Sequence, residues 1–169
     1  TNGLRGLVKA DRVHRDFYIN PEVFELEMER IFGRIWLFVG HTSQVPNAGD
    51  YITTTIARQP VILSRDRDRK IHVVFNRCTH RGAQVCLEQS GNTQRFECPY
   101  HAWVFNTDGK FVGAPYPKGY EEGFLEKEKL DLVKIPRMEI YRGFIFGSLS
   151  NDGPDIDEFL GPMKKHIDA

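Results

Sequence analysis

Two short segments, each offering one thiol and one imidazole, constrain this chain more than anything else in it. The first reads Cys78–Thr79–His80 and the second Cys98–Pro99–Tyr100–His101, with residues 81–97 between them. The 169 residues contain only three cysteines, an odd number and too few for a disulfide framework. If the four donors serve one metal centre, the fold must bring these two loops face to face.

The donor types point to a particular division of labour. A mixed-ligand 2Fe–2S centre needs two thiolates on one iron and two histidines on the other. Here each loop supplies one donor to each iron, so the loops would clamp the cluster from both sides. Neutral imidazole in place of thiolate removes negative charge, which raises the reduction potential to between about −150 and +300 mV. Two other readings stay open on the residues alone. A tetrahedral zinc site also takes two cysteines and two histidines, although zinc fingers group a cysteine pair and a histidine pair rather than alternating them. The plainest reading is two buried cysteines and two ordinary histidines.

The pattern between and around the loops is mostly of β type. Residues 51–57, 60–64 and 71–76 are rich in Val, Ile, Thr and Phe, and 95–97, 103–106 and 110–112 follow as further short segments. Asn106–Thr107–Asp108–Gly109 is a strong turn signal. Residues 132–135, 138–142 and 144–149 continue the series, and many short strands with frequent turns indicate a sandwich or barrel. The sign-alternating run 65–70 reads as a solvated hairpin tip. Ahead of these strands, Asn20–Pro21–Glu22 opens a helix, as N-cap, first helical residue and dipole partner. Phe24, Met28, Ile31 and Phe32 are expected on one face of it, and Gly33 at its end. Residues 114–129 read as a surface loop or short helix, and 155–160 begin another helix.

Charge and hydropathy exclude several roles. Lys plus Arg and Asp plus Glu number 23 each, which argues against a bulk-charge role on nucleic acid or a membrane surface. No apolar run approaches the ~18 residues of a membrane span, the longest lying around 35–39. No signal-peptide pattern opens the chain, so the cytoplasm is the expected compartment. The first residue is Thr1 rather than Met, and further residues are expected upstream. Cys86 reads as a small buried apolar residue. His14, His41, His72 and His166 read as surface or satisfied histidines.

The segments 76–83 and 98–103 resemble the cluster loops of the Rieske family, and among its members those of the large subunits of aromatic-ring-hydroxylating oxygenases. Residues 25–50, with Trp36, Gly40 and Gly49, resemble what precedes the Rieske domain there. The family often has Gly where this chain has Ala102. Respiratory Rieske proteins carry an extra cysteine in each loop, and the corresponding positions here are Ala83 and Tyr100.

The resemblance implies a mainly β fold: a Rieske-type antiparallel β-sandwich with a small cluster-binding subdomain and flanking helices. Residues 1–40 would form a helical lead-in, 41–150 the 2Fe–2S domain, and 151–169 the start of a connection to a catalytic domain that lies outside this chain. Cys78, His80, Cys98 and His101 would hold the cluster. Arg81, Gly82 and the backbone of residues 100–103 would donate hydrogen bonds to its sulfurs, with Trp103 either a shield or a core aromatic. The resemblance further implies electron supply from a ferredoxin or flavin reductase. A mononuclear Fe(II) in a C-terminal domain would activate O2 against an aromatic substrate. Assembly would be as a trimer through the full-length subunit, with a small beta subunit left open. A free-standing Rieske-type ferredoxin is the alternative, but it would not need the helix at 20–33 or the tail from 155.

Overall fold

The structure is a computed structural model that describes residues 2–125 and 129–169. Two short helices, Asn2–Arg5 (α1) and Asp16–Ile19 (α2), lead into Pro21–Glu27 (α3). The expected cap forms: the Asn20 side chain accepts from the Glu22 amide at 2.8 Å, with Pro21 in the first turn. The expected apolar stripe does not. The helix widens into a π turn over Met28–Phe32, where the Gly33 amide donates to the Met28 carbonyl at 2.8 Å. Val23 is buried while Phe24 and Ile31 stay exposed, and the wider turn moves Ile31 and Phe32 off the face a regular helix would give them. Phe24 instead lies under the Arg58 guanidinium, 4.7 Å from its ring centre.

Ten strands follow. They are β1 Leu37–His41, β2 Asp50–Ile56, β3 Gln59–Arg65, β4 Ile71–Phe75, β5 Ser90–Asn92, β6 Arg95–Glu97, β7 Val104–Asn106, β8 Phe111–Gly113, β9 Arg137–Tyr141 and β10 Phe144–Ser148. They form three antiparallel sheets, ordered β1-β10-β9, β4-β3-β2-β5 and β6-β7-β8. This is the mainly β sandwich expected, with the three-stranded β6-β7-β8 sheet as its small subdomain.

Three strand assignments differ from the sequence reading. β1 was not expected, nor was β5, which is made of Ser, Gly and Asn and pairs with β2 at the sheet edge. Residues 132–135 form no full strand. They lie along β4 through the bridge Val74↔Lys134 and the bonds from the Phe75 amide to Val133 and from the Ile135 amide to Val73, until Pro136 ends the pairing. The 106–109 turn forms with Gly109 at φ +89°. Of the loop expected at 114–129, residues 117–119 make one 3₁₀ turn, and 126–128 lie outside the described residues.

The core has three parts. One lies under the two donor loops and includes Val74, Phe96, Phe105, Phe111 and Leu132. The second lies between the two larger sheets, around Val39, Ile56, Leu63, Val73 and Ile145. The third joins Trp36 to Ile156 and Leu160 of the C-terminal helix Ile156–Leu160 (α4), whose N-cap Asp155 accepts from the Glu158 amide at 2.8 Å. Gly161 leaves that helix, and Lys164–Ile167 (α5) follows a 3₁₀ turn.

Candidate metal centre

The first donor loop leaves β4 and the second joins β6 to β7, and both are closed by the same backbone frame. In the first, the Cys78 amide donates to the Ala83 carbonyl at 2.7 Å and the Gly82 amide returns to the Cys78 carbonyl at 2.8 Å. In the second, the Cys98 amide donates to the Trp103 carbonyl at 2.8 Å and the Ala102 amide returns to the Cys98 carbonyl at 2.9 Å. In each, the fourth residue after the cysteine has a left-handed backbone: Gly82 at φ +75° and Ala102 at φ +52°. Alanine in place of the family's frequent glycine therefore bears on this loop through backbone conformation.

The frames bring the four candidate donors to one place. Cys78 and Cys98 are almost wholly buried. Burial pushes the Cys78 thiol up to about 11 and the neighbouring Cys98 adds to the rise, while backbone N–H groups of His80 and Arg81 work against it. Such a thiol stays protonated near neutral pH unless a positive partner draws it to the thiolate. The His80 and His101 rings stand 4.7 Å apart, centre to centre, at 70°. Burial, then the proximity of His101 and Arg81, holds His80 below the ordinary imidazole range, which favours the neutral ligand form.

One atom tests whether a metal suits this arrangement. The Nδ1 of His101 is buried and has no hydrogen-bond partner. A buried polar atom left this way is costly, and a metal ion is a partner that suits an imidazole nitrogen on a ring packed beside a second imidazole, near two buried thiols. Among the described residues, no three His, Cys, Asp or Glu side chains converge on one ion position. Cys78 lies beside Cys98, and His80 beside His101.

Other residues fix the loops, and apart from Trp103 sequence alone gave them no role. Asn76 is buried; its amide oxygen accepts from the Val85 and Cys86 amides at 3.0 and 2.9 Å, and its nitrogen donates to the Cys86 carbonyl at 2.7 Å. A polar residue directly ahead of a donor loop was the available signal. Thr79 donates to the Leu130 carbonyl at 2.6 Å, and Trp103 donates through Nε1 to the Tyr120 hydroxyl at 3.1 Å. Trp103 is a core aromatic: it is buried, and its ring stacks on His80 at 4.6 Å and 8°.

The remaining candidates separate cleanly. Cys86 is buried as expected, beside Tyr51, whose hydroxyl burial and that thiol push up to about 12. His72 is satisfied by Asp66 at 2.7 Å, and residues 67–70 of the 65–70 tip are exposed, as expected. His80 and His101 open onto a surface cavity of about 610 Å³, lined also by Pro99, Tyr116 and Tyr120. A cavity of similar size, about 630 Å³, lined by Phe38, Gln44, Thr54 and Gln89, contains none of the four donors.

Comparison with known proteins agrees with this geometry. The family model described as the Rieske [2Fe-2S] domain matches residues 35–136, which include both loops. The N,N-dimethyl phenylurea N-demethylase subunit alpha of Sphingobium sp. (strain YBL2) is 44% identical over 150 residues, 89% of this chain and 33% of that one. The toluate 1,2-dioxygenase subunit alpha of Pseudomonas putida is 40% identical over 159 residues, 93% of this chain and 35% of that one. The naphthalene 1,2-dioxygenase of Rhodococcus sp., solved with indole bound, superposes with a TM-score of 0.90 at 37% identity, over 99% of this chain and 38% of its own. The chain thus spans about a third of the length of the curated relatives it matches. Paired donor loops on one backbone frame, inside a matched domain and a matched fold, have a single reading: the chain belongs to the Rieske [2Fe-2S] domain family, in the form found in the alpha subunits of ring-hydroxylating oxygenases.

Proposed function

We propose that Cys78 and Cys98 bind one iron of a Rieske 2Fe–2S cluster and His80 and His101 the other, within residues 41–150 as the cluster domain, and that this domain relays electrons inside a ring-hydroxylating oxygenase. Residues 1–40 serve as its lead-in and 151–169 begin the connection to a catalytic domain. The observation that carries the reading is the orphaned, buried Nδ1 of His101, on a ring packed against His80, with two buried thiols in the same pair of loops.

What the cluster supplies is one-electron transfer at a potential raised by histidine ligation. The chain's residues do the rest. Cys78 and Cys98 keep their sulfurs from water, and the backbone N–H groups of His80 and Arg81 point at the Cys78 sulfur. His80 and His101 stand at the open rim, where an acceptor can approach. The electron source is a ferredoxin or flavin reductase. The acceptor is a mononuclear iron in a C-terminal domain, where O2 is used on an aromatic compound. Toluate and naphthalene, named for two of the similar proteins, indicate that class. Assembly is a trimer of full-length subunits, with or without a small beta subunit. The cytoplasm is the compartment, where free cysteines such as Cys86 stay reduced. The relatives are oxygenase alpha subunits, which favours this reading over a free-standing ferredoxin.

The test is an anaerobic visible and EPR spectrum of the protein, oxidised and then reduced, with iron and zinc counted in the same sample. Two irons per chain with a reducible mixed-ligand signal are expected, and a colourless protein holding zinc would overturn the reading. Replacing His101 by Cys is expected to keep a cluster at a lower potential, since a thiolate adds negative charge. An unchanged potential would remove His101 from the ligand set.

A further inference from the structure

We propose that Tyr120 is a positioning residue for His80, acting through Trp103; the inference rests on His80 being a cluster ligand. An imidazole's χ2 is a broad torsion, so a ligand histidine needs something besides its own backbone to fix its ring plane. For His80 that neighbour is the Trp103 indole, parallel to it within 8° at 4.6 Å. The indole is itself held at its far end: Nε1 donates to the Tyr120 hydroxyl at 3.1 Å, and Trp103 is buried. Tyr120 in turn stacks on Phe124 at 5.4 Å and 8°. The ring of His80 is therefore set by a chain of contacts that begins 40 residues further on, outside both donor loops.

The chain acts on charge as well as on angle. A hydroxyl oxygen accepting from Nε1–H makes the indole richer in electrons. An electron-rich face over a ligand imidazole stabilises the oxidised, more positive state of the centre more than the reduced one. Tyr120 therefore lowers the potential. Losing its hydroxyl leaves a buried indole N–H unpaired, and the ring turns to find another acceptor.

The experiment compares wild type, Tyr120→Phe, Trp103→Phe and the double variant in the full chain, by midpoint potential, EPR g-values and iron content. Y120F is expected to keep two irons per chain, with an upward shift in potential and altered g-values. In the W103F background the same change is expected to do nothing, because the intermediary is gone. A Y120F protein with wild-type potential and g-values would overturn the proposal. So would a Y120F shift of equal size with and without Trp103, or a Y120F protein that stays folded by circular dichroism but loses its iron. Wild-type protein without the two irons would fail the cluster reading itself, a separate result.

Discussion

Gly82 and Ala102 meet the same demand, a left-handed backbone four residues after a donor cysteine, and only one of them is built for it. A left-handed L-residue costs roughly 1–2 kcal/mol, and glycine's greater freedom in the unfolded chain returns about half of that. Ala102→Gly is therefore expected to raise the unfolding free energy by about 0.5–1 kcal/mol, and Gly82→Ala to lower it by a similar amount. The space is open at Gly82: an added Cβ would meet only Arg77, at 3.9 Å. Urea unfolding of the two variants checks both signs. A second residue-scale expectation concerns Asp66. Burial raises its carboxyl, but the His72 hydrogen bond and the Lys70 amide outweigh that and hold it below its ordinary value of 3.8. A depressed carboxylate contributes stability that is complete above pH 3.8 and is lost as pH falls through the lower folded value. Asp66→Asn should therefore shrink the drop in unfolding free energy between pH 6 and pH 3. At this scale the sequence was most readable where a residue's chemistry is local. Four soft donors at short spacing announce themselves. Asn76 and Tyr120 do not, because what they do depends on Cys86 and Trp103 being folded against them.

Elements were readable where side chains alternate and opaque where pairing alone makes the strand. β2, β3 and β4 carry Val, Ile and Thr in runs and fell close to their expected limits. β5 has no apolar side chain, and its Gly91 lies where the Tyr51 ring crosses it, with a Cβ there only 2.8 Å from the phenol oxygen. The strand exists because a large neighbour needs a small one, a relation no local pattern shows. β10 is governed in the same way. An added Cβ at Gly147 would stand 2.6 Å from Ile135 Cδ1 and 3.0 Å from Val39 Cγ2, in the core between the larger sheets. Gly147→Ala is expected to cost roughly 1–3 kcal/mol by overpacking, measurable by thermal or urea unfolding. The π turn at Met28–Phe32 escaped for a different reason, since a helical wheel assumes one fixed period.

Across the whole molecule, Arg137 holds the two ends together. Its guanidinium lies over the Trp36 ring at 4.6 Å and donates to the carbonyls of Ser150, Asp152, Gly153 and Pro154, while Trp36 Nε1 donates to Pro154 at 3.0 Å. Hydrogen bonds from a charged group contribute about 1.5–3 kcal/mol, less where water reaches them. Arg137→Ala should therefore cost about 2 kcal/mol. Limited proteolysis should then cut within 150–154 before the sheets unfold, and Arg137→Lys should recover little, since one ammonium cannot reach four carbonyls. The same clasp has a consequence in time. Among the described residues β1 pairs with β10, and Trp36 and Pro154 meet across 118 positions of sequence. Pairings of that span form late and slowly. On the ribosome, a nascent chain that has already delivered both donor loops still lacks the strand that pairs with β1 until the tunnel releases β10, so closure of that sheet comes after the loops are made.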